Sequence, residues 1–247
     1  MHCAILAGGL GTRMRQYAAT VPKNLLPVRG VPFAARQLSA LSAAGVTGVT
    51  YCIGHMGDQI RAFVGDGSRW GLSVNYADEG TDLQGTAGAL RVAVNAGLVP
   101  EQFLLLYGDS WLPIDYAAVW HVFLSSGCPA LMTVFRNEGL WDTSNVLLED
   151  GRIVVYDKQR HDPRSSGMRH IDYGLSVLTA AVVRELVPSS GKADLADVFH
   201  RLSLSGQLAS YEASERFYEI GSPAGLADLE ASLAATELQK EAAATPR

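Results

Sequence analysis

Apolar and polar residues alternate along this chain in two rhythms, one suited to strands and the other to helices. His2–Leu6 (HCAIL) is a short apolar run that ends at a glycine-rich turn, which predicts a buried strand. Phe33, Leu38 and Leu41 fit a helix over residues 32–44, with Gly45 at its expected end. Residues 46–53 predict a strand, Gly57–Val64 a helix, 72–76 a strand and 86–96 a helix whose N-cap would be Thr86. Gln102–Tyr107 (QFLLLY) is a buried strand that stops at Gly108-Asp109. Strand and helix in regular alternation predict an α/β fold, a mostly parallel sheet covered on both faces. Ligands in such folds gather at the carboxyl ends of the strands. The glycine-rich turn and Asp109 both fall at such ends.

The second half is less regular. Residues 130–135 and 146–148 predict strands, and Glu149-Asp150-Gly151-Arg152 is a hairpin turn leading to a partner strand over 153–156. The segment 161–169 (HDPRSSGMR) is polar and turn-rich, as a surface loop would be. A strand is expected over 173–178 and a helix over Ala180–Leu186. Ser222 and Pro223 pair as N-cap and first helical residue. Leu226, Leu229 and Leu233 then share one helical face. From Gln239 the tail is charged and alanine-rich and is expected to fray. With no internal repeat or low-complexity linker, the predicted organisation is one domain over 1–238. Within it three parts are expected, about 1–110, about 111–222 and a C-terminal helix 223–238, ahead of the tail at 239–247.

Length and composition fit that picture: 247 residues, 48% hydrophobic and 18% charged. A formal net charge of −5 argues against a general nucleic-acid binder, although a few basic groups can still bind phosphates locally. The N-terminal run is too short and glycine-broken for a signal peptide, and no stretch reaches membrane-spanning length, so no membrane association is expected. Cys3, Cys52 and Cys128 lack metal-type spacing and read as free thiols of a cytoplasmic protein.

The chemistry concentrates in Leu6-Ala7-Gly8-Gly9-Leu10-Gly11-Thr12-Arg13 and in Pro22-Lys23-Asn24-Leu25-Leu26-Pro27-Val28. Glycines after a buried strand let backbone N–H groups come close to an anion. Arg13 and Lys23 can supply the charge a triphosphate needs. Two familiar glycine motifs fail here. A Walker A loop needs Gly-Lys followed by Ser or Thr, and a dinucleotide fingerprint needs a third glycine where Met14 stands.

GGLGTR followed by PKNLLPV resembles the signature of the sugar-1-phosphate nucleotidyltransferase family, commonly GGxGTRL…PKxxxPV, with Met14 and Asn24 as departures. The likeness runs to about Leu233. It implies a Rossmann-like, nucleotide-diphospho-sugar transferase fold, a mixed and mostly parallel sheet flanked by helices. It also implies Mg²⁺ as cofactor, and an NTP and a sugar 1-phosphate as substrates. By that resemblance the nucleotide is held by Leu6, Ala7, Gly8, Gly9, Gly11, Thr12, Arg13 and Lys23. Glu79 and the stretch from Gln84 with Gly85 and Thr86 would border the base. Asp109 and Glu219 would be the metal ligands, Glu219 replacing an aspartate. Asp157, Lys158, Asp172 and Gly174 would hold the sugar phosphate, with Trp141-Asp142 where many relatives have Tyr-Gly. Arg13, Lys23, Asp109 and Lys158 form the expected catalytic set.

The implied reaction is an in-line attack of the sugar-phosphate oxygen on the α-phosphorus. A phosphate monoester has its second pKa at about 6 and needs no protein base at neutral pH. The protein's task is alignment and charge neutralisation. That suits a chain with no Ser/His/Asp or Cys/His constellation, in which His55 is left outside the site. At this length no left-handed β-helix domain is expected, and the chain looks most like compact members that use heptose 1-phosphate and GTP. Alternatives are UTP-dependent transfer to N-acetylmuramate or hexose 1-phosphate, transfer to phosphocholine, and an inactive nucleotide-sensing subunit. The family's members are often dimers or larger, so a homodimer is one assembly the resemblance allows.

Overall fold

The computed structural model describes residues 1–11, 14, 20–137, 139–159 and 167–244, the last stretch as backbone alone from 239. Thr12, Arg13 and most of the expected 161–169 loop lie outside the described residues. The first half runs β1 (His2–Leu6), β2 (Pro27–Val28), β3 (Val31–Pro32), α1 (Phe33–Ala43), β4 (Gly48–Ile53), α2 (Gly57–Val64), β5 (Ser73–Asp78), α3 (Gly85–Asn95), β6 (Gln102–Tyr107) and β7 (Ser110–Trp111). The second runs α4 (Tyr116–Ser126), β8 (Ala130–Arg136), β9 (Val146–Glu149), β10 (Arg152–Tyr156), β11 (His170–Thr179), α5 (Ala180–Leu186), α6 (Leu195–Leu204), β12 (Leu208–Ala213), β13 (Tyr218–Glu219) and α7 (Pro223–Ala244). The elements expected from periodicity are present to within a few residues. Helix α4, helix α6, strand β12 and the two-residue strands β2, β3, β7 and β13 are additional, and α7 continues to Ala244, through part of the tail expected to fray from Gln239.

The main sheet has nine strands. Its central path is β10-β9-β11-β6-β1-β4-β5, and β8 and β12 branch from β11. β6, β1, β4 and β5 are mutually parallel, and β11 enters antiparallel beside β6. The sheet is therefore mixed but parallel where the glycine-rich turn leaves it. Side chains alternate across it. On β6, Phe103 and Leu105 face the core under α3, α5 and α6, while Leu104 and Leu106 face the core under α1, α2 and α4. Burying both faces explains why this strand reads as an unbroken apolar run. Cys3 and Cys52 are part of these two cores and are free thiols, with burial raising the pKa of each.

Two local devices shape the second half. The turn between β9 and β10 places Asp150 at φ 47° and Gly151 at φ 72°, the doubly left-handed conformation of a tight hairpin. In β11, Asp172 lies opposite Val134 and Ser176 opposite Met132, so β11 carries two extra residues there. Gly174, at φ 106°, sits inside this bulge, in a region that side-chain-bearing residues rarely adopt.

Helix α7 starts as its sequence predicts, with the Ser222 hydroxyl accepting from the Gly225 N–H at 3.1 Å. Its Leu226, Leu229 and Leu233 pack on Val28, Phe33 and Ile220 in a third, smaller core. Among the described residues no helix is long and apolar enough to cross a membrane.

Candidate active site

Four parallel strands end around one cavity of about 250 Å³. Pairing continues past the strand ends, which fixes the backbone there. The Ala7 N–H donates to the Cys52 carbonyl at 2.8 Å, and the Gly108 N–H to the Leu6 carbonyl at 2.9 Å. Gly8 follows in a crowded place: a Cβ on it would stand 2.5 Å from Glu79 Oε1 and 3.2 Å from the Gly54 nitrogen. A larger residue there would have to displace the Glu79 carboxylate and press on the Gly54 backbone. Of the residues assigned to the nucleotide, Leu6, Ala7, Gly8 and Gly9 line the cavity, as do Lys23, Glu79, Gly85 and Thr86. Gly11 instead packs beside the Lys23 stem, its virtual Cβ 3.1 Å from Lys23 Cγ.

Lys23 opens a short 3₁₀ turn, Lys23–Leu25, before the β2–β3 hairpin. Its Nζ donates to Asp109 Oδ2 at 2.5 Å, so residues from two distant segments meet as a half-buried ion pair. Asp109 itself closes the cavity at the end of β6. Glu79 accepts from the Gln84 N–H through Oε2 at 2.7 Å. Burial raises its carboxyl pKa, an effect to which Asp78 and Asp82 add and which the Gln84 N–H opposes. Gln84 is fixed in turn by the buried Arg91, whose Nη2 donates to Gln84 Oε1 at 2.5 Å and to the Gly191 carbonyl at 3.2 Å.

Thr86 departs from expectation. Helix α3 begins one residue earlier, at Gly85, so Thr86 is not its N-cap. Its hydroxyl instead donates to Asp194 Oδ1 at 3.1 Å and accepts from the Leu195 N–H at 2.8 Å, at the start of α6. Asp194 is the true cap of α6, accepting from the Ala196 N–H. The Thr86 side chain is thus engaged in joining two helices while it lines the cavity.

The residues assigned to the sugar phosphate lie at the β11 bulge and just past the end of β10. Asp172 Oδ1 accepts from the Gly174 N–H at 3.0 Å, and the Asp172 N–H donates to Asn145 Oδ1 at 3.0 Å. Burial pushes the Asp172 carboxyl up to about 6, against the opposing pull of the Gly174 N–H and the Lys158 ammonium. Lys158 is exposed and Asp157 half-buried, its Oδ1 accepting from the Gln159 N–H at 2.9 Å. None of these four lines the cavity of about 250 Å³. The two sets converge on Tyr107, which lines that cavity. Its phenol pKa is raised by burial and further by Asp172, Asp194 and Asp109.

The metal assignment meets a direct test of fit. Strand β13 pairs with β7, placing Glu219 opposite Ser110, and the Ile220 N–H donates to the Asp109 carbonyl at 2.9 Å. The two carboxylates then flank Gly221, where a Cβ would lie 3.0 Å from Glu219 Oε2 and 3.4 Å from Asp109 Oδ2. A side chain there would fill the space the carboxylates share. Among the described residues no larger group of His, Cys, Asp or Glu forms a metal cluster. Two carboxylates suit Mg²⁺, which keeps most of its shell for water and phosphate oxygens. The extra methylene of Glu219 lengthens its reach relative to the aspartate of the family signature.

Nearby, Trp141 is not in the cavity but stacks on Arg216, whose guanidinium lies 3.6 Å from the Trp141 ring centre and 4.4 Å from that of Tyr218. Asn24, Cys52, Leu83, Ala89, Tyr107 and Gly108 line the cavity without having been assigned to the site from sequence. Of these, Asn24 and Gly108 adjoin residues that were, Lys23 and Asp109, and that adjacency was the available signal.

Residues 3–165 match the model of the MobA-like NTP transferase domain. Over 168 residues the chain is 30% identical to glucose-1-phosphate thymidylyltransferase of Streptomyces antibioticus, covering 67% of this chain and 46% of that one. Over 120 residues it is 37% identical to N-acetylmuramate alpha-1-phosphate uridylyltransferase of Neisseria meningitidis serogroup B, covering 49% and 52%. It thus spans about half the length of these curated relatives. A crystal structure from Bacillus anthracis, of a protein assigned as a glucose-1-phosphate thymidylyltransferase, superposes with a TM-score of 0.82 at 22% identity over 94% of each chain. At that identity the likeness speaks for the fold. The chain belongs to the family of MobA-like NTP transferase domains and is related to the sugar-1-phosphate nucleotidyltransferases.

Proposed function

We propose that this protein transfers a nucleoside monophosphate from an NTP to a sugar 1-phosphate, giving an NDP-sugar and pyrophosphate. The observation that carries this reading is the meeting of Lys23 and Asp109 at 2.5 Å in a glycine-floored cavity, with Glu219 beside Asp109. A triphosphate lying on Gly8 and Gly9 would reach Lys23, whose ammonium would neutralise charge on the departing pyrophosphate. Arg13, by its place in the motif, would share that role. The acceptor's phosphate would be held by Lys158, with Asp157, Asp172 and Gly174 orienting its sugar, so that an acceptor oxygen faces the α-phosphorus. That oxygen forms the new P–O bond as the bond to the β-phosphate oxygen breaks, and the electron pair leaves with pyrophosphate. Asp109 and Glu219 would hold Mg²⁺, which supplies charge neutralisation between the two polyanions when bound. No side chain need remove a proton, because the attacking phosphate is largely dianionic at neutral pH.

The substrate pair we take first is GTP with a heptose 1-phosphate, on the resemblance to compact members of the family. UTP with N-acetylmuramate or hexose 1-phosphate comes next. The testing experiment is a matrix of the four common NTPs against sugar 1-phosphates and phosphocholine, with Mg²⁺, read by pyrophosphate release. Release that requires one sugar 1-phosphate is expected. Nucleotide binding without turnover on any acceptor would contradict the reading.

A further inference from the structure

Two strands share one edge of β11, and they do not meet. β9 pairs with it at His170 and β6 from Leu175 to Thr179, while β8 runs along the other edge. Among the described residues, 171–174 therefore have no strand beside them on the shared edge, although backbone there still needs hydrogen-bond partners. Asn145, one residue before β9, stands at the opening of this gap. Its N–H donates to the His170 carbonyl at 2.9 Å, which extends the pairing of β9 by one residue. Its carbonyl does not continue along β11 but accepts from the Asp157 N–H at 2.8 Å, just past β10. The Asp172 N–H is met instead by the Asn145 side chain, whose Oδ1 accepts it at 3.0 Å. Asp172 Oδ1 in turn accepts from the Gly174 N–H at 3.0 Å, further along the gap.

We infer that Asn145 is a positioning residue for the acceptor, fixing Asp172 relative to the Asp157-Lys158 pair. The inference rests on the reading of Asp157, Lys158, Asp172 and Gly174 as the acceptor's partners. The first two follow β10 and the last two lie on β11, with β9 between the two strands. Asn145 bonds to one member of each set, to Asp157 through its main chain and to Asp172 through its side chain. A side-chain acceptor is needed at 145 because the main-chain carbonyl is already engaged with Asp157, and the asparagine amide supplies one. An apolar residue would leave the Asp172 N–H without that acceptor, in a bulge that the ladder does not hold on this edge. Asn145 does not line the cavity proposed for the nucleotide, so its influence belongs to the acceptor side alone.

The test takes the substrates identified by pyrophosphate release and compares wild type with Asn145→Ala, Asp172→Ala and the double variant. Substitution at 145 removes the side-chain bond to Asp172 and keeps the main-chain bond to Asp157. For Asn145→Ala, kcat/KM for the sugar 1-phosphate should fall about tenfold, while NTP affinity by calorimetry stays within about twofold of wild type. The melting temperature should fall by only about 2–4 °C, as for one lost hydrogen bond. In the Asp172→Ala background the same substitution should change the acceptor's kcat/KM by less than about threefold, because its effect passes through Asp172. A lower melting temperature with the acceptor's kcat/KM unchanged would overturn the inference, leaving Asn145 a purely structural residue. Equal losses for acceptor and NTP would also overturn it, as would full additivity in the double variant. If Asn145→Ala does not fold, Asn145→Leu, of nearly the same shape as asparagine, replaces it in the comparison. A wild type that turns over no sugar 1-phosphate would instead overturn the functional reading itself, before any variant is made.

Discussion

At the scale of single residues, the Lys23–Asp109 pair joins the two charges that the proposed chemistry needs most. Lys23→Ala would remove the cation from the leaving-group end, and Asp109→Asn a metal ligand. Each is expected to lower turnover by at least about a hundredfold on the identified substrates, measured as pyrophosphate release, with the far-ultraviolet dichroism of wild type. Wild-type turnover in either would contradict the assignment. Asp172 makes a prediction about pH. Its folded pKa is raised to about 6 from the ordinary 3.8, so between these values the native state holds more protons than the unfolded one. Its contribution to stability is then most favourable below pH 4 and is lost as the pH rises through about 6. Asp172→Asn should therefore melt higher than wild type above pH 6, and the difference should vanish near pH 4. Melting curves of the two proteins across that range check the sign.

At the scale of elements, two short contacts hold the site together. The two-residue pairing of β13 with β7 delivers Glu219 to Asp109, and Gly221 keeps the space between the carboxylates open. Gly221→Ala should weaken Mn²⁺ binding, followed by the loss of free Mn²⁺ signal in paramagnetic resonance, while leaving the melting temperature within a few degrees of wild type. The Thr86 hydroxyl joins α3 to the start of α6, so Thr86→Val should destabilise the fold by about 1–2 kcal/mol in a denaturant titration. That link also marks where sequence reading ends. The Asp150-Gly151 hairpin, the apolar β6 and the Ser222 cap each signal themselves through local residues. Helix α4 (YAAVWHVFLSS) is apolar nearly all round, so no polar face sets its period. The partnership of Thr86 with Asp194 spans 108 residues and depends on packing alone.

For the whole molecule, the sheet sets the division of labour. Its parallel strands end around the cavity proposed for the nucleotide, and the antiparallel β11, entering beside β6, carries the bulge that presents Asp172 and Gly174. Tyr107, at the end of β6, adjoins both regions. The glycine turn, Lys23 and Asp109 were legible because strand ends and glycines are local signals. The acceptor side was legible only through family likeness, since Lys158 taken by itself is an exposed lysine after a strand. The central claim is group transfer at the α-phosphorus, and its most direct test follows the label from an NTP marked there. With Mg²⁺ and the sugar 1-phosphate identified in the matrix, the account predicts that all transferred label appears in the NDP-sugar and that the pyrophosphate is unlabelled. Label recovered only as free nucleotide, with no labelled sugar product, would contradict it.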